Sequence, residues 1–228
     1  MTTLFIVATP IGNLEDLSMR ALRILKEVDF ILCEDTRVTK KLLNHYDIKK
    51  PLLSYHQHSR LKKVNYIMEL LKQGKNLALI SDAGTPGISD PGNLLVDEAI
   101  KRLMEKVKII PIPGPSAVTA AASISGFPMD KFLFLGFPPT KRKRKKFFQE
   151  VVKSKYPVIF YESPYRIIKS LRDLQLISKT YNLKPKIVVC RELTKKFETI
   201  YRGKIEEVIR EIEKGKVKGE FVVIVNAD

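Results

Sequence analysis

This 228-residue sequence predicts two consecutive α/β domains, the first on a mostly parallel sheet and the second on a mixed one. Three observations carry the prediction. In the first half, short β-like runs alternate with helix-period stretches, the pattern of parallel strands covered on both faces. In the second half, strands follow one another with only three convincing helices between them. Between the halves, Pro111-Ile112-Pro113-Gly114-Pro115 interrupts both periodicities. The boundary is therefore expected there, giving domains 1–113 and 114–228.

The elements follow in order. Leu4 to Thr9 reads as a strand, and Leu17 to Val28 as a helix with Leu22 and Leu25 on one face and Asp16 or Ser18 as cap. Phe30 to Glu34 is a second strand, Thr36 to Asn44 a helix and Leu52 to Tyr55 a short strand. Leu61 to Gln73 is a helix closed by Gly74. Leu77 to Ser81 and Val107 to Ile112 are strands, with a helix from Asn93 to Met104 between them. Beyond the boundary, Ala117, Ala120, Ala121 and Ala122 open a small-residue helix. Phe132 to Phe137, Pro157 to Glu162, Lys186 to Glu192, Thr199 to Gly203 and Glu220 to Val225 read as strands. Helices are expected at about 143–153, 164–178 and 204–214. The strands at Lys186 and Thr199 are adjacent in sequence, which favours antiparallel pairing and hence a mixed sheet.

Composition narrows the class. Hydrophobic residues make up 44% of the chain, enough for real cores. The longest apolar runs, such as Leu77 to Ile80 and Phe221 to Val225, have strand length and fall far short of a membrane span. Met1 leads almost directly into Leu4-Phe5-Ile6-Val7 with no charged leader, so a cytoplasmic protein without membrane attachment is expected. Cys33 and Cys190 lie inside apolar runs as small buried hydrophobes, and neither pairs with His45, His56 or His58 at a zinc spacing, so no metal site is expected. Forty-one Lys and Arg against 25 Asp and Glu give a net charge of +16. That excess favours a polyanionic partner over the plainer alternative of a lysine-rich proteome.

Motif absences weigh against hydrolase, kinase and ordinary Rossmann chemistry. No GxxxxGK[ST] loop, no GxGxxG after the first strand, no GxSxG elbow and no HExxH occur. Gly/Pro-rich turns at strand ends take their place. The largest runs from Ser81 to Gly92, too long and too specialised for an ordinary βα connection. Parallel sheets bind ligands outside the carboxyl ends of their strands, where such a backbone can approach a small molecule closely. Pro113-Gly114-Pro115-Ser116-Ala117 repeats the theme after the next strand.

Together these blocks resemble the tetrapyrrole-methylase superfamily, and within it the branch acting on ribosomal RNA. The resemblance rests on Val7 to Leu17, Cys33-Glu34-Asp35-Thr36-Arg37, the Ser81 to Gly92 loop and Pro113 to Ala117. It continues through Leu135-Gly136-Phe137-Pro138-Pro139, Tyr161 to Arg166, Cys190-Arg191-Glu192-Leu193-Thr194-Lys195 and Gly219-Glu220-Phe221, in the expected order. It implies a class III methyltransferase fold, with S-adenosyl-L-methionine in a cleft between two α/β domains, and a homodimer. It implies 2′-O-methylation of a cytidine in the decoding region of 16S ribosomal RNA, free or in the assembled small subunit. The implied cofactor contacts are Pro10, Ser81, Asp82, Ala83, Gly84, Gly87, Ile88, Ser116, Ala117, Tyr161, Glu162 and Leu193. Siroheme-forming relatives carry Gly-Asp-Pro where this chain has Ser81 to Gly87, a difference favouring RNA over a porphyrin.

Within that reading, Glu34, Asp35 and His56 are candidates for the base that accepts the ribose proton. The blander alternatives are a capping cluster for Glu34-Asp35-Thr36 and a polar loop for His56-Gln57-His58. Arg37 and Arg191 are candidates to orient a phosphate by paired hydrogen bonds. Lys141-Arg142-Lys143-Arg144-Lys145-Lys146 is a six-residue cationic run, read as a phosphate contact rather than a merely solvated helix face. Ser163-Pro164 has the form of a helix start. Two rival functions remain, C-methylation of a tetrapyrrole precursor and a non-catalytic RNA-binding protein on the same scaffold.

Overall fold

Five strands form the parallel sheet of the first half: Thr2–Val7 (β1), Phe30–Cys33 (β2), Leu52–Ser54 (β3), Leu77–Leu79 (β4) and Val107–Ile112 (β5). Their order is β3-β2-β4-β1-β5, and every neighbouring pair is parallel. They belong to a computed structural model that describes residues 1–56, 61–90 and 92–227. Because side chains alternate along a strand, β4 serves two cores at once. Ala78 joins Val7, Ile31, Cys33 and Ile80 on one face, while Leu77 and Leu79 join Leu4 and Leu32 on the other. Both faces are covered, which is why these strands read as unbroken apolar runs.

Helices Met19–Glu27 (α1) and Thr36–His45 (α2) cover the first face through Ala21, Ile24, Leu25 and Leu43. Ser18 rather than Asp16 caps α1, its hydroxyl accepting from the Ala21 amide at 3.1 Å. Helices Leu61–Lys72 (α3) and Asn93–Leu103 (α4) cover the other face through Val64, Ile67, Met68, Leu71, Leu95, Ala99 and Leu103.

The second half contains Leu133–Phe134 (β6), Val158–Glu162 (β7), Lys186–Arg191 (β8), Thr199–Lys204 (β9) and Phe221–Asn226 (β10). Their order is β6-β7-β10-β8-β9, with β6 and β7 parallel and all other pairs antiparallel. Helices Ala117–Ser123 (α5), Arg144–Lys153 (α6), Ile167–Thr180 (α7) and Ile205–Lys214 (α8) accompany this sheet. Phe148, Phe160, Leu171, Leu174, Val208, Ile209 and Val223 share one buried core. Phe147, Phe148 and Phe160 meet edge to face in it. Both cysteines are buried, and burial pushes the Cys190 thiol up to about 11.

Two elements differ from the sequence expectation. The strand expected from Phe132 to Phe137 is only two residues long, because the backbone turns at Gly136, where φ is +62°. Helix α7 starts at Ile167, not at Ser163-Pro164. Residues 163–166 form a turn in which the Ser163 carbonyl accepts from the Arg166 and Ile167 amides, and the Ser163 hydroxyl accepts from the Arg166 guanidinium.

The chain divides into two compact units, Met1–Ser116 and Ala117–Asp228. The Pro113-Gly114-Pro115 loop stays with the first, since the Thr85 hydroxyl donates to the Pro115 carbonyl at 3.2 Å.

Candidate functional site

The topology of the first unit marks where a ligand belongs. After β2 the chain leads outward to β3, whereas after β4 it leads the opposite way, past β1, to β5. Connections that diverge from neighbouring strands open a crevice at their carboxyl ends. Glu34 and Asp35 follow β2 and Asp82 follows β4, so these acids line that switch point. The Asp35 amide donates to Asp82 Oδ1 at 3.1 Å across it.

The neighbouring loops are pinned to one another. Thr9 and Gly84 exchange backbone hydrogen bonds of 2.9 and 3.0 Å, and Thr9 Oγ1 donates to the Ser81 carbonyl at 3.1 Å. Ser81 is buried, and its hydroxyl lies 3.2 and 3.3 Å from the Ala83 and Gly84 carbonyls, so it shapes the loop from inside. Asp82 and Ala83 are exposed, as is Ile88, at 44%. Pro10 is buried beneath the loop and Ser116 is partly exposed at the end of the unit. Two glycines are dictated by geometry. A Cβ on Gly87, whose φ is +85°, would stand 2.6 Å from Asn93 Oδ1, and one on Gly114 would stand 3.0 Å from the Ala8 Cβ.

The three base candidates separate physically. Asp35 caps α2, accepting from the Arg37 amide at 2.8 Å, and forms a 2.6 Å ion pair with the Arg37 guanidinium. The Arg37 hydrogen bonds hold the Asp35 carboxyl far below the usual carboxylate range, which leaves it a very weak base. The capping alternative thus describes Asp35, and Arg37, expected to meet RNA, pairs with that carboxylate while its side chain stays 87% exposed. Glu34 is the opposite case. Burial, with the charges of Asp90 and Asp82, raises its carboxyl to about 7, a value poised for general-base work. Asp90, which the sequence reading did not single out, is raised by burial to about 6. Its only sequence signal was its place in the Gly/Pro loop. His56 is exposed beyond the end of β3, while Gln57 and His58 lie outside the described residues. Among the described residues no group of three His, Cys, Asp or Glu is placed to hold a metal ion.

In the second unit, two residues of the expected site are buried. Glu162, expected to touch a cofactor, has a fully buried side chain. It pairs with Arg166 at 2.9 Å, accepts from the Ser163 amide at 2.8 Å and accepts from the Ser170 hydroxyl at 2.5 Å. Arg144, expected among the RNA-contacting cations, is 8% exposed. Its guanidinium donates to Asp173 Oδ2 (2.7 Å), the Ser170 hydroxyl (2.8 Å) and the Pro139 carbonyl (3.1 Å). Arg166 likewise donates to the Pro138 carbonyl at 3.2 Å. The two arginines therefore clamp the loop after β6 from inside the fold. Sequence reasoning missed this network because a run of six cations carries no mark of which one faces inward.

Lys141, Arg142 and Lys143 are exposed. Tyr161 is half-buried between Phe134 and Phe137, with ring centroids 4.9 and 5.4 Å away. Ala117 is partly exposed at the start of α5. Leu193 is buried in a turn between Glu192 (φ +53°) and Thr194 (φ +65°), two non-glycine residues in the left-handed region. Strain of that kind collects at functional turns. Arg191 donates from Nε to the Lys218 carbonyl at 2.6 Å.

Two α/β units and an acid-lined crevice under Gly/Pro loops define a small-molecule-binding enzyme fold. Comparison with known proteins sharpens this. Residues 3–209 match the family model described as Tetrapyrrole (Corrin/Porphyrin) Methylases. The chain is 45% identical to the Ribosomal RNA small subunit methyltransferase I of Thermotoga maritima, over 99% of both chains. It is 46% identical to the like-named protein of Halalkalibacterium halodurans, over 99% of this chain and 76% of that one. Among solved structures, the methyltransferase CobJ superposes with a TM-score of 0.70 at 18% identity, covering 99% of this chain and 93% of that one. The cobalt precorrin-4 methyltransferase CbiF gives 0.69 at 16%, covering 98% and 94%. The chain belongs to the tetrapyrrole (corrin/porphyrin) methylase family, in the branch of these ribosomal RNA small subunit methyltransferase I relatives. It is a methyltransferase, and its methyl donor is S-adenosylmethionine. No helix among the described residues is long and apolar enough to cross a membrane.

Proposed function

We propose that the protein transfers a methyl group from S-adenosylmethionine to the ribose 2′-hydroxyl of a cytidine in the decoding region of 16S ribosomal RNA. The observation carrying this reading is the 45% identity, over essentially the whole of both chains, to a protein named for methylating small-subunit ribosomal RNA. The net charge of +16 suits the same substrate.

The first unit fits the cofactor. Ala83 is small and exposed, and the glycines keep the loop's backbone close-packed, since a Cβ would meet Ile11 at Gly84, Asn93 at Gly87 and Ala8 at Gly114. Exposed Ile88 offers apolar surface. The carboxylates of Glu34, Asp82 and Asp90 suit ribose hydroxyls and a positively charged ligand. Pro10, Asp82, Ala83, Gly84, Gly87, Ile88 and Ser116 would hold the cofactor, with Ser81 shaping their loop. Bound there, it supplies a methyl group made electrophilic by a sulfonium.

The remaining work falls to the chain's own groups. Glu34 accepts the proton of the 2′-hydroxyl, and burial, with the nearby charges of Asp90 and Asp82, raises its carboxyl to about 7 for that task. Alignment of the acceptor oxygen contributes more than proton removal, because a fixed in-line approach replaces a bimolecular encounter. Lys141, Arg142 and Lys143 meet phosphates, while Arg191 orients one of them. The reaction is assigned to the cytoplasm, and the active form to a homodimer.

The test is transfer of labelled methyl to small subunits purified from cells lacking this protein, with the product nucleotide mapped by mass spectrometry. A single 2′-O-methylcytidine in the decoding region is the expected product. Cofactor binding without transfer to subunits or to naked RNA would overturn the proposal.

A further inference from the structure

The second unit presents two large aromatic side chains to solvent on the same rim. Tyr165, in the turn after β7, is 94% exposed, and Phe137, in the loop after β6, is 51% exposed. Strands β6 and β7 are parallel neighbours, so both turns leave the sheet at the same, carboxyl, end. The turns are bonded directly, since Arg166, next to Tyr165, donates to the carbonyl of Pro138, next to Phe137. Leaving two aromatic rings in water sacrifices the largest apolar burial a side chain can offer. Phe137 rests one side of its ring against Tyr161, with centroids 5.4 Å apart, and Tyr165 stands almost wholly clear.

The rim is also stiff and cationic. Arg166 and Arg144 tie the Pro138 and Pro139 carbonyls to buried Glu162 and Ser170 and to half-buried Asp173. The rings therefore sit on a loop already ordered before any partner arrives, and little freedom is lost on binding. The same loop runs into Lys141, Arg142, Lys143, Lys145 and Lys146, all exposed and none in an ion pair among the described residues. Unpaired cations beside exposed ring faces match a nucleic acid strand: phosphates meet the ammonium groups while bases stack on the rings. An apolar protein partner would meet the same cations with a desolvation cost and no compensating charge.

We propose that Tyr165 and Phe137 form a base-stacking platform that holds unpaired nucleotides of the RNA substrate, with the neighbouring lysines on the backbone. This rests on the ribosomal RNA reading above. It adds a demand that charge alone does not make, namely that the recognised segment have unstacked bases. Double-stranded RNA hides its base faces, so it engages the lysines and not the rings.

The experiment uses the whole protein and a fluorescein-labelled single-stranded RNA of about 12 nucleotides, a length typical of one stacking site. The same sequence as a duplex is the comparison. Binding is read by anisotropy across a salt series, and methyl transfer to small subunits is measured in parallel. Tyr165→Ala and Phe137→Leu are expected to weaken single-strand binding about tenfold each, the effect of losing one stacked base (~1.4 kcal/mol). Both should leave the salt dependence unchanged, and Tyr165→Phe should bind as the parent does. Lys143→Glu should instead flatten the salt dependence. Tyr165 removes almost no packing when truncated, so its loss reports on the ligand and not on folding. If Tyr165→Ala and Phe137→Leu bind like the parent while Lys143→Glu weakens binding, the platform is refuted and the RNA reading survives on charge. The platform also falls if the parent methylates subunits yet prefers the duplex probe. If the parent neither binds RNA nor methylates subunits, the underlying function is the part at fault.

Discussion

Replacing Arg144 by alanine tests whether one cation of a six-residue run is structural. The side chain is 8% exposed, donates to Asp173, Ser170 and the Pro139 carbonyl, and lies over the Phe148 ring at 5.0 Å. Its removal leaves the Ser170 hydroxyl and the Asp173 carboxylate without their cation. Breaking a buried ion pair from one side costs about 3–5 kcal/mol. Asp173 keeps 34% of its side chain exposed and recovers some hydration, which puts the expected loss at the low end, ~3 kcal/mol. For a unit of this size that lowers the thermal midpoint by roughly 12 °C or more. Arg144→Lys should recover less than half, because one ammonium cannot span three acceptors set for a planar fork. Lys143→Ala, one residue away and exposed, should change stability by no more than about 0.5 kcal/mol. Urea titration followed by circular dichroism measures all three. A loss below about 1 kcal/mol for Arg144→Ala, the scale of a surface pair, would refute the argument from burial.

Further outcomes follow from the first unit. A Glu34 carboxyl raised from 4.5 to about 7 makes its basic form appear as pH rises, so methyl transfer should increase through about pH 7. Glu34→Gln should abolish that limb, whereas Asp35→Asn, which preserves the cap, should retain turnover; the reverse result would transfer the base role to Asp35. The same raised pKa means that Glu34 contributes stability below about pH 4.5 that is lost as pH rises through about 7. Glu34→Gln should therefore melt with less pH dependence across that window, as calorimetry at several pH values would show. Gly87→Ala forces a Cβ into the left-handed region 2.6 Å from Asn93 Oδ1 and should destabilise by about 1–3 kcal/mol. Its affinity for S-adenosylmethionine, measured by titration calorimetry, should fall with it; unchanged affinity would remove the loop from the cofactor site.

Much of the fold was legible because its signals are local. The apolar run Leu77 to Ile80 has strand length, the alternation of such runs with helices marks a sheet covered on both faces, and the proline-rich stretch at 111–115 interrupts both periodicities. Asp16 and Ser18 both announced a helix start by side-chain chemistry, and the fold uses Ser18. Elements failed to be legible where tertiary context overrode pattern. Phe132 to Phe137 has strand composition, yet Gly136 turns the chain before a strand can lengthen. Ser163-Pro164 has helix-start composition, yet its hydroxyl is taken by Arg166 and the helix begins at Ile167.

The candidate site divides along the same line. The Gly/Pro loops at the strand ends, the excess of positive charge and the acids after the second strand were all present in the chain order. What each charged group does depends on neighbours distant in sequence. Asp35 is a cap and Glu34 a base candidate because Arg37 reaches one, while Asp82 and Asp90, some 50 residues onward, surround the other. Arg144 is internal because α7 brings Ser170 and Asp173 beneath it, whereas Lys143 and Lys145 are exposed. By itself the sequence determined the two-sheet architecture and the family, since periodicity, turn chemistry and ordered motifs are written along the chain. Only the tertiary structure separated the candidate carboxylates from one another and turned one cation of six inward, because ionisation and exposure are set by what packs around a group.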